Sequence, residues 1–507
     1  MKKLFQLIAV SLLISGMTLV PLGCSKTSLS SADKADASPE ELFRFTLQHR
    51  FNDGEPLPSE TIEISPSQFE NNPLVFSEKL KGIFSKLLEK QKKPVQIDTT
   101  VDISLPTSLT QILGKLSTIS MTTNIESDGN GKGHWELPAY KREISTSEIG
   151  LVNVDWKGGN GEFTFTNNFE SITGIDKLLA LTIKSEKGSL SLGETTFNGT
   201  LNADLMPTQF GVSLPSLEMR ETDDKKLNLK AFSLDFNLVK TLKGLKLGNG
   251  HFKVGHFSLS DDGSKVNLED LVLKASSEEQ GEVINTLLET KIGKLILPKE
   301  ITMEKDLKVN NYVGNIALRR LDAEAILQLQ KTLQTLQGMS SDDPMLLMVL
   351  FGQFMAIAPK LIAQSPDIAT KLAFKTPEGD LDGNFRVTLD GKKVTALKIP
   401  ALLSALLAKA EFTIGKGLLE KVLTIQSYNA MLNMAKLETM YFGKELGKAD
   451  LAQLKKDAKN ESKQQIEMFV GQKFLVEDGK NNYKLDANFN NQKLTVNGQE
   501  ISLPFLP

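Results

Sequence analysis

Apolar and polar residues alternate between Ile144 and about Lys274, in runs separated by Gly, Asn and Asp. Phe163 and Phe165 belong to one run, and Leu190 and Leu192 to another. A period of two is typical of antiparallel strands that bury one face. This region is therefore predicted to be a succession of antiparallel β-strands.

The alternation changes phase inside some of these runs. Leu227 and Leu229 set one parity, and Phe232 and Leu234 take the other. The shift recurs in two later runs, where Phe252 and Val254 precede Phe257 and Leu259, and Val266 and Leu268 precede Leu271 and Leu273. Side chains alternate strictly along a strand, so a phase change needs a bulge or a crossing to the other face. Long, bent strands are expected.

Helical spacing interrupts the strand pattern at several places. Ser77 is predicted to cap a helix that ends before Pro94, and Asp322 to begin a helix that ends before Gly338. Further helices are expected at 402–408, 417–436 and 450–469, followed by a strand pair at 482–488 and 493–496 that turns through Asn490 and Asn491. The predicted fold class is α+β: a long antiparallel, bent, meander-like sheet with amphipathic and buried helices packed against it.

The segment from Met345 to Ala358 is almost wholly apolar and is bounded by Pro344 and Pro359. It falls short of the roughly 20 residues that cross a bilayer. A helix buried against the sheet is the first expectation, and an apolar lid over a lipid-binding groove is the alternative. The residues predicted to form this apolar groove or core are Met345, Leu346, Leu347, Leu350, Phe351 and Phe354.

The N-terminus has the pattern of a bacterial lipoprotein signal. Lys2 and Lys3 precede an apolar stretch, and Gly23 stands directly before Cys24, the single cysteine of the chain. We expect cleavage between Gly23 and Cys24 and lipidation of the Cys24 thiol. Pro21 departs from the usual motif, which has Leu three residues before the cysteine.

This pattern predicts a signal peptide (1–23) and a flexible tether (24–38). The strand and helix patterns described above divide the remainder into a β-rich region (39–320) and a helix-plus-strand region (321–507). Ser25 follows the lipidated cysteine, where Asp would favour retention at the inner membrane. We therefore expect a lipid anchor facing the periplasm, with the outer membrane favoured over the inner membrane.

The net charge and the short motifs limit which partners and sites the sequence predicts. The net charge is −3 with dispersed Lys and Arg, which does not favour nucleic acid as a partner. His251 and His256 are five residues apart on an expected strand and would face opposite sides, so no metal site is predicted. Asp128–Gly133 and Gly158–Gly161 are interpreted as turns, and Asp380 and Asp382 as solvated loop carboxylates. No catalytic residue and no cofactor is predicted.

Three segments of the C-terminal half resemble the YdgA-like bacterial envelope proteins, domain-of-unknown-function family 945. They are Ala358–Gly379 with its Pro-Glu-Gly turn, Ala410–Ile414 before the helix at Leu418, and Phe474–Gly498 with its final Asn-Gly. The resemblance covers about Leu321 to Leu503. It implies an envelope protein with an N-terminal membrane-targeting element, and it supplies no catalytic residues.

Three hypotheses for function follow. The first is a non-catalytic structural or partner-binding envelope lipoprotein, and the second is a lipid-binding or lipid-handling protein. The third, ranked last, is a hydrolase of envelope polymers. A well-filled core would favour the first hypothesis, and an open apolar trough would favour the second.

Overall fold

The computed structural model describes most of residues 41–501. The gaps in this range are 72–74, 90–92, 108, 111–113, 147–149, 167–168, 204, 222–224, 242, 262, 300–305, 337–343, 395–397 and 443–446. The predicted signal segment, its Gly23 and Cys24, and the tether lie outside the described residues.

The described chain divides into two compact units. The first unit contains 41–239 and 248–263, and the second contains 240–247 and 264–501. The sequence placed a boundary at residue 320 instead. The strands between 264 and 322 belong to the second unit because they hydrogen-bond, directly or through one another, to the strands that follow residue 367.

The first unit is a meander of strands that bend. Its strands are β1 (Phe43–Phe51), β2 (Glu60–Ile64), β3 (Val95–Ser104), β4 (Ile119–Ile125), β5 (Gly131–Leu137), β6 (Tyr140–Thr146), β7 (Gly150–Trp156), β8 (Gly159–Thr166), β9 (Ser171–Leu178), β10 (Leu181–Ser185), β11 (Gly188–Leu192), β12 (Thr195–Asn202), β13 (Pro207–Arg220) and β14 (Lys226–Lys240). The next strand, β15, is Lys246–Asp261.

Only two residues separate β5 from β6, β7 from β8, β9 from β10, and β11 from β12. Each of these pairs follows the path of one long strand with a corner in it. The segments on one side of the corners form the ladder β5–β8–β9–β12, and the segments on the other side form the ladder β6–β7–β10–β11. Both ladders end on β13. The corners bond to each other: Lys157 N donates to Ala180 O over 2.9 Å, and Leu179 N donates to Gly158 O over 3.0 Å.

The buried faces of both ladders form one dense hydrophobic core. Helix α1 is Pro66–Asn71, and helix α2 (Val75–Glu89) adds Phe76 and Phe84 to this core. Phe76 packs on Phe45 of β1 with ring centroids 4.5 Å apart. The prediction that Ser77 caps α2 is wrong, because the helix begins two residues earlier, at Val75.

Two of the three phase changes coincide with residues in the left-handed backbone region. Ala231 in β14 has φ 51°, and Asp270 in the second unit has φ 54°. These residues lie between the two parities of their runs. A single left-handed residue turns the pleat over, so the following side chains change faces. The prediction that these strands carry irregularities is confirmed at both positions.

The second unit is also a meander. Its strands are β16 (Ser264–Gln280), β17 (Val283–Leu297), β18 (Leu307–Asp322), β19 (Asp367–Thr376), β20 (Gly379–Leu389), β21 (Leu406–Gly415), β22 (Val476–Glu477), β23 (Asn482–Asn490), β24 (Lys493–Val496) and β25 (Gln499–Ile501). Each strand from β16 to β21 pairs with the next along the chain, β21 pairs with β23, and β24 and β25 complete the order.

Among its described residues this unit has the helices α3 (Ala323–Leu336), α4 (Pro344–Ala363), α5 (Ile399–Ala405), α6 (Lys416–Phe442) and α7 (Lys448–Gly471). Asp322 begins α3 as predicted, since its Oδ1 accepts a hydrogen bond from Ala325 N at 2.8 Å. Pro359 does not end α4; the helix continues through it to Ala363. The final hairpin turns through Asn491 and Gln492, which both have positive φ, one residue later than predicted.

The predicted antiparallel, meander-like sheet is therefore confirmed, although strands dominate and the α+β class fits only loosely. The helix predicted at 402–408 ends at Ala405, where β21 takes over. None of the helices among the described residues has both the length and the hydropathy needed to span a bilayer.

Candidate functional site

Strand β20 shows that the sheet of the second unit has apolar side chains on one face and polar side chains on the other. Leu381, Phe385 and Val387 alternate along it with Asn384 and Arg386. Successive side chains of a strand point to opposite faces, so the first three lie on one face and the last two on the other. The neighbouring strands follow the same division in register.

We call the first side the apolar face. Ile316 of β18 is opposite Leu288 of β17 and Thr370 of β19, and Thr370 is opposite Phe385 of β20. A second row places Leu318, Ile368, Val387, Ala408 and Phe489 side by side. The face therefore continues without a break across five adjacent strands.

This apolar face is incompletely covered. The side chains of Leu288, Ile316, Ile368 and Phe385 are between 38% and 46% exposed. The core of the first unit, in contrast, holds Phe45 and Phe197 at 1%. An antiparallel sheet normally buries its apolar side, and a contiguous exposed apolar patch marks a binding surface.

Helix α4 presents further apolar side chains. Phe351 is 67% exposed and Phe354 is 54% exposed, whereas Leu350 is half-buried and Ile357 is fully buried. The expectation of a helix buried against the sheet is therefore wrong for the side that carries Phe351 and Phe354. The side chains of Met345, Leu346 and Leu347 lie outside the part of the chain that the structure describes.

The opposite side of the same sheet, which we call the polar face, is organised by Asp367. This carboxylate is fully buried and accepts four hydrogen bonds. Arg386 Nε and Thr388 Oγ1 donate to Oδ1 over 2.8 and 2.7 Å, and Arg386 Nη2 and Arg319 Nη1 donate to Oδ2, both over 3.2 Å. Burial by itself would raise the pKa of Asp367, but these hydrogen bonds and the two positive charges outweigh burial and lower the pKa.

A cavity of about 320 Å³ lies beside this cluster on the polar face. Ala317 and Ala369 are register partners at its base. We call it the basic pocket, because its charged lining residues are Arg319, Lys371, Arg386, Lys409 and one acid, Glu411.

The first unit has a smaller, apolar cavity of about 70 Å³ between α2 and the sheet. Phe84, Phe163 and Phe169 line it, together with Thr123, whose buried hydroxyl has no hydrogen-bond partner among the described residues. This volume is too small for an acyl chain.

The chain matches a known protein family over more than half of its length. The family model described as "Bacterial protein of unknown function (DUF945)" matches residues 176–504. The chain belongs to this family. No curated protein and no solved structure shows significant similarity to it.

The DUF945 match begins well before Leu321, the start of the resemblance in the sequence. It includes the last strands of the first unit and all of the described second unit, and therefore both faces of the second sheet. The prediction of the family is confirmed at this level. The β-rich region before residue 321 had offered no sharp motif, so its inclusion could not be inferred from the sequence.

The structure also places the weaker motifs. Asp128 accepts hydrogen bonds from the backbone and the side chain of Asn130, in the turn between β4 and β5, as predicted, but Gly131–Gly133 of the predicted turn belong to β5. Gly158 lies at a strand corner, but Gly159–Gly161 belong to β8, so the second glycine segment is not a turn. Asp380 and Asp382 lie on strand β20 rather than on a loop. Among the described residues no cluster of His, Cys, Asp or Glu could hold a metal ion.

The sequence missed the two most organised polar groups. Asp367 meets Arg319 and Arg386 across strands that are 48 and 19 residues apart in the chain. His49 is buried and binds Thr99, 50 residues away. The alternation in β20 could have indicated a two-faced strand, but it could not reveal that the apolar face is open.

Proposed function

We propose that this DUF945 protein is a YdgA-like envelope lipoprotein whose second unit binds acyl chains of lipid on the apolar face. The observation that carries the proposal is the half-exposed row Leu288–Ile316–Thr370–Phe385, continuous across four paired strands. Covering it would remove apolar surface from water at about 25 cal/mol per Å².

Acyl chains suit this face better than a polypeptide strand. Strands β18 to β21 each hydrogen-bond to a neighbour on both sides, so an incoming strand has no free edge there. The row offers a single side-chain hydroxyl, that of Thr370. A bound segment with unpaired backbone groups would leave them unsatisfied, whereas a hydrocarbon chain needs no hydrogen bonds.

The predicted lipid anchor at Cys24 supports the same role. An anchored domain lies within reach of a membrane surface and so of its lipids. The proposal also places the protein at the periplasmic side of the envelope, preferentially at the outer membrane, and it assigns binding rather than catalysis.

Photo-crosslinking in bacterial cells tests the proposal on the full chain. Benzoylphenylalanine replaces Phe385 on the apolar face, and in a matched control it replaces Asp382, an exposed residue on the polar face of the same strand and outside the lining of the 320 Å³ cavity. We expect mass spectrometry to find lipid adducts at position 385 and not at position 382. A protein adduct at 385 would favour the partner-binding hypothesis instead, and equal labelling at both positions would refute the apolar face as a binding surface.

A further inference from the structure

The basic pocket is an open concavity on the polar face. Its base is made of two small register partners, Ala317 and Ala369, and taller side chains stand around them: Leu287 on β17, Arg386 on β20 and Lys409 on β21. The volume of about 320 Å³ equals that of about ten water molecules at roughly 30 Å³ each. It therefore accommodates a charged group with a substituent attached.

The charges of the pocket are unbalanced. Four cations, Arg319, Lys371, Arg386 and Lys409, line it, against Glu411 in the lining and Asp367 behind the two arginines. Glu411 is paired with Lys409 at 2.5 Å. Lys371 has no acidic partner within the described part of the chain. An excess of two positive charges in a concavity attracts anions.

The two guanidinium groups are already held in position. Arg386 uses Nε and Nη2 to bind Asp367, and Arg319 uses Nη1, so both keep further N–H donors while about half of each side chain remains exposed. Guanidinium donors match phosphate oxygens in pairs. Because Asp367 restricts both side chains beforehand, less conformational entropy is lost when they bind a ligand.

A buried acceptor lies in the same pocket. Asn315 is one of the lining residues, and its buried Oδ1 atom has no hydrogen-bond partner among the described residues. Such an atom needs a donor, because a buried polar atom without a partner costs about 1–3 kcal/mol. A hydroxyl next to an anionic group would satisfy it.

We propose that the basic pocket binds a phosphate ester that carries a hydroxyl group, such as a glycerophosphate. The four cations of the pocket lining bind the phosphate oxygens, and Asn315 Oδ1 accepts a hydrogen bond from the hydroxyl. The ligand is either the headgroup of an anionic phospholipid or a free phosphate ester. The site lies on the opposite side of the sheet from the apolar face, so it does not depend on acyl-chain binding there.

Thermal unfolding of the detergent-solubilised full chain tests this proposal. Glycerol 3-phosphate is the probe, and glycerol and sodium chloride of equal ionic strength are the controls. A ligand at 100 times its Kd stabilises by about 2.7 kcal/mol, so the transition should shift upward by a few degrees. Lys371→Gln and Lys409→Gln should each raise the ligand concentration needed for half of the maximal shift at least tenfold. Each of these variants removes a cation of the pocket lining that lies outside the Asp367 cluster.

Lys375→Gln is the matched control. Lys375 is on the same strand and the same face as Lys371 but outside the pocket lining, so its replacement should leave the response intact. Equal responses in all three variants, or no response of the unmodified chain, would overturn the proposal. Short-chain phosphatidylglycerol distinguishes the two sources. A lipid headgroup is identified if its half-maximal concentration is far below that of glycerol 3-phosphate and is raised at least tenfold by Lys371→Gln. A half-maximal concentration that Lys371→Gln leaves unchanged reports binding to the apolar face and identifies a free phosphate ester as the ligand of the pocket.

The crosslinking experiment at position 385 tests the apolar face. Lipid adducts at position 385 without a phosphate response would leave the acyl-chain proposal standing and refute the pocket. A phosphate response without adducts would do the reverse.

Discussion

Trp135 donates its indole Nε1–H to Asp176 Oδ1 over 2.8 Å, and both side chains are buried. The two residues are on β5 and β9, with β8 between them, and Gly161 of β8 is the register partner of both. The contact exists because Gly161 has no side chain. A Cβ there would lie 2.0 Å from Asp176 Oδ1 and 2.3 Å from Trp135 Nε1.

Gly161→Ala is expected to lower the free energy of unfolding of the first unit by about 3 kcal/mol, because it overpacks the core and breaks a buried hydrogen bond. Urea unfolding followed by tryptophan fluorescence measures this, since both tryptophans, Trp135 and Trp156, belong to that unit. Gly82→Ala is the control. Gly82 is an exposed residue of α2 with nothing near its Cβ position, and alanine there should add up to about 1 kcal/mol. Equal losses in both variants would contradict this account.

His49 should make the first unit sensitive to acid. Burial lowers the pKa of its imidazole below 6.5, and the charge of Glu60 offsets only part of this effect. Its Nδ1 lies 2.9 Å from Thr99 Oγ1, and no described group bonds to Nε2. The unfolded chain therefore binds the proton more readily, and stability falls as the pH drops from about 6.5 towards the lowered pKa of the folded state.

The measurement compares urea midpoints of the tryptophan signal at pH 7.5 and pH 5.5. His49→Gln should show a smaller drop than the unmodified chain, and His134→Gln, at an exposed position, should show the full drop. A pH dependence that is unchanged in His49→Gln would exclude this residue as its source.

Asp367→Asn should destabilise the sheet of the second unit at neutral pH. We expect a loss of about 2 kcal/mol, below the roughly 3–5 of a fully buried pair, because Arg319 and Arg386 stay half exposed. The folded pKa is below the ordinary 3.8, so the carboxylate stabilises above that value, and its contribution is lost as the pH falls through the lowered pKa.

Hydrogen exchange of peptides from β19 and β20 reports this locally. The variant should exchange faster than the unmodified chain at pH 7, and the difference in opening free energy should shrink below pH 3.8. Asp380→Asn, an exposed carboxylate on β20, is the control and should match the unmodified chain. Identical exchange rates in Asp367→Asn and Asp380→Asn would show that Asp367 does not stabilise these strands.

Ala231→Gly is expected to stabilise β14 by about 1 kcal/mol, since φ is 51° there and glycine adopts positive φ without steric cost. Ser233→Gly, two residues further along the same strand at an ordinary backbone position, should instead cost about 0.5–1 kcal/mol. Urea midpoints of the two variants, again from tryptophan fluorescence, should therefore move in opposite directions. A shift of the same sign would mean that Ala231 is not strained.

Cys24→Ser should abolish incorporation of labelled palmitate in growing bacteria, because the thiol is the attachment atom of the predicted lipoprotein signal. Ser25→Ala, at the next position, should retain the label. Continued labelling of Cys24→Ser would show that Cys24 is not the attachment site.

Local patterns predicted the local features. The phase change after Leu229 correctly indicated an irregular backbone, found at Ala231, and Asp322 correctly began α3. Features that depend on distant partners were out of reach. Trp135 and Asp176 are 41 residues apart, and only the register of three strands brings them together. The exposure of Phe351 was also unpredictable, because an apolar helix has the same sequence whether or not another element covers it.

The pairing order of the second unit has a consequence for how such chains change length. From β16 to β21 every strand bonds to its immediate successor in the sequence. A further hairpin could be inserted between two of these strands, or one removed, without changing the order in which the remaining strands pair. Relatives of different size should therefore differ by strand pairs, and the side-chain rows on each face would become longer with each added pair.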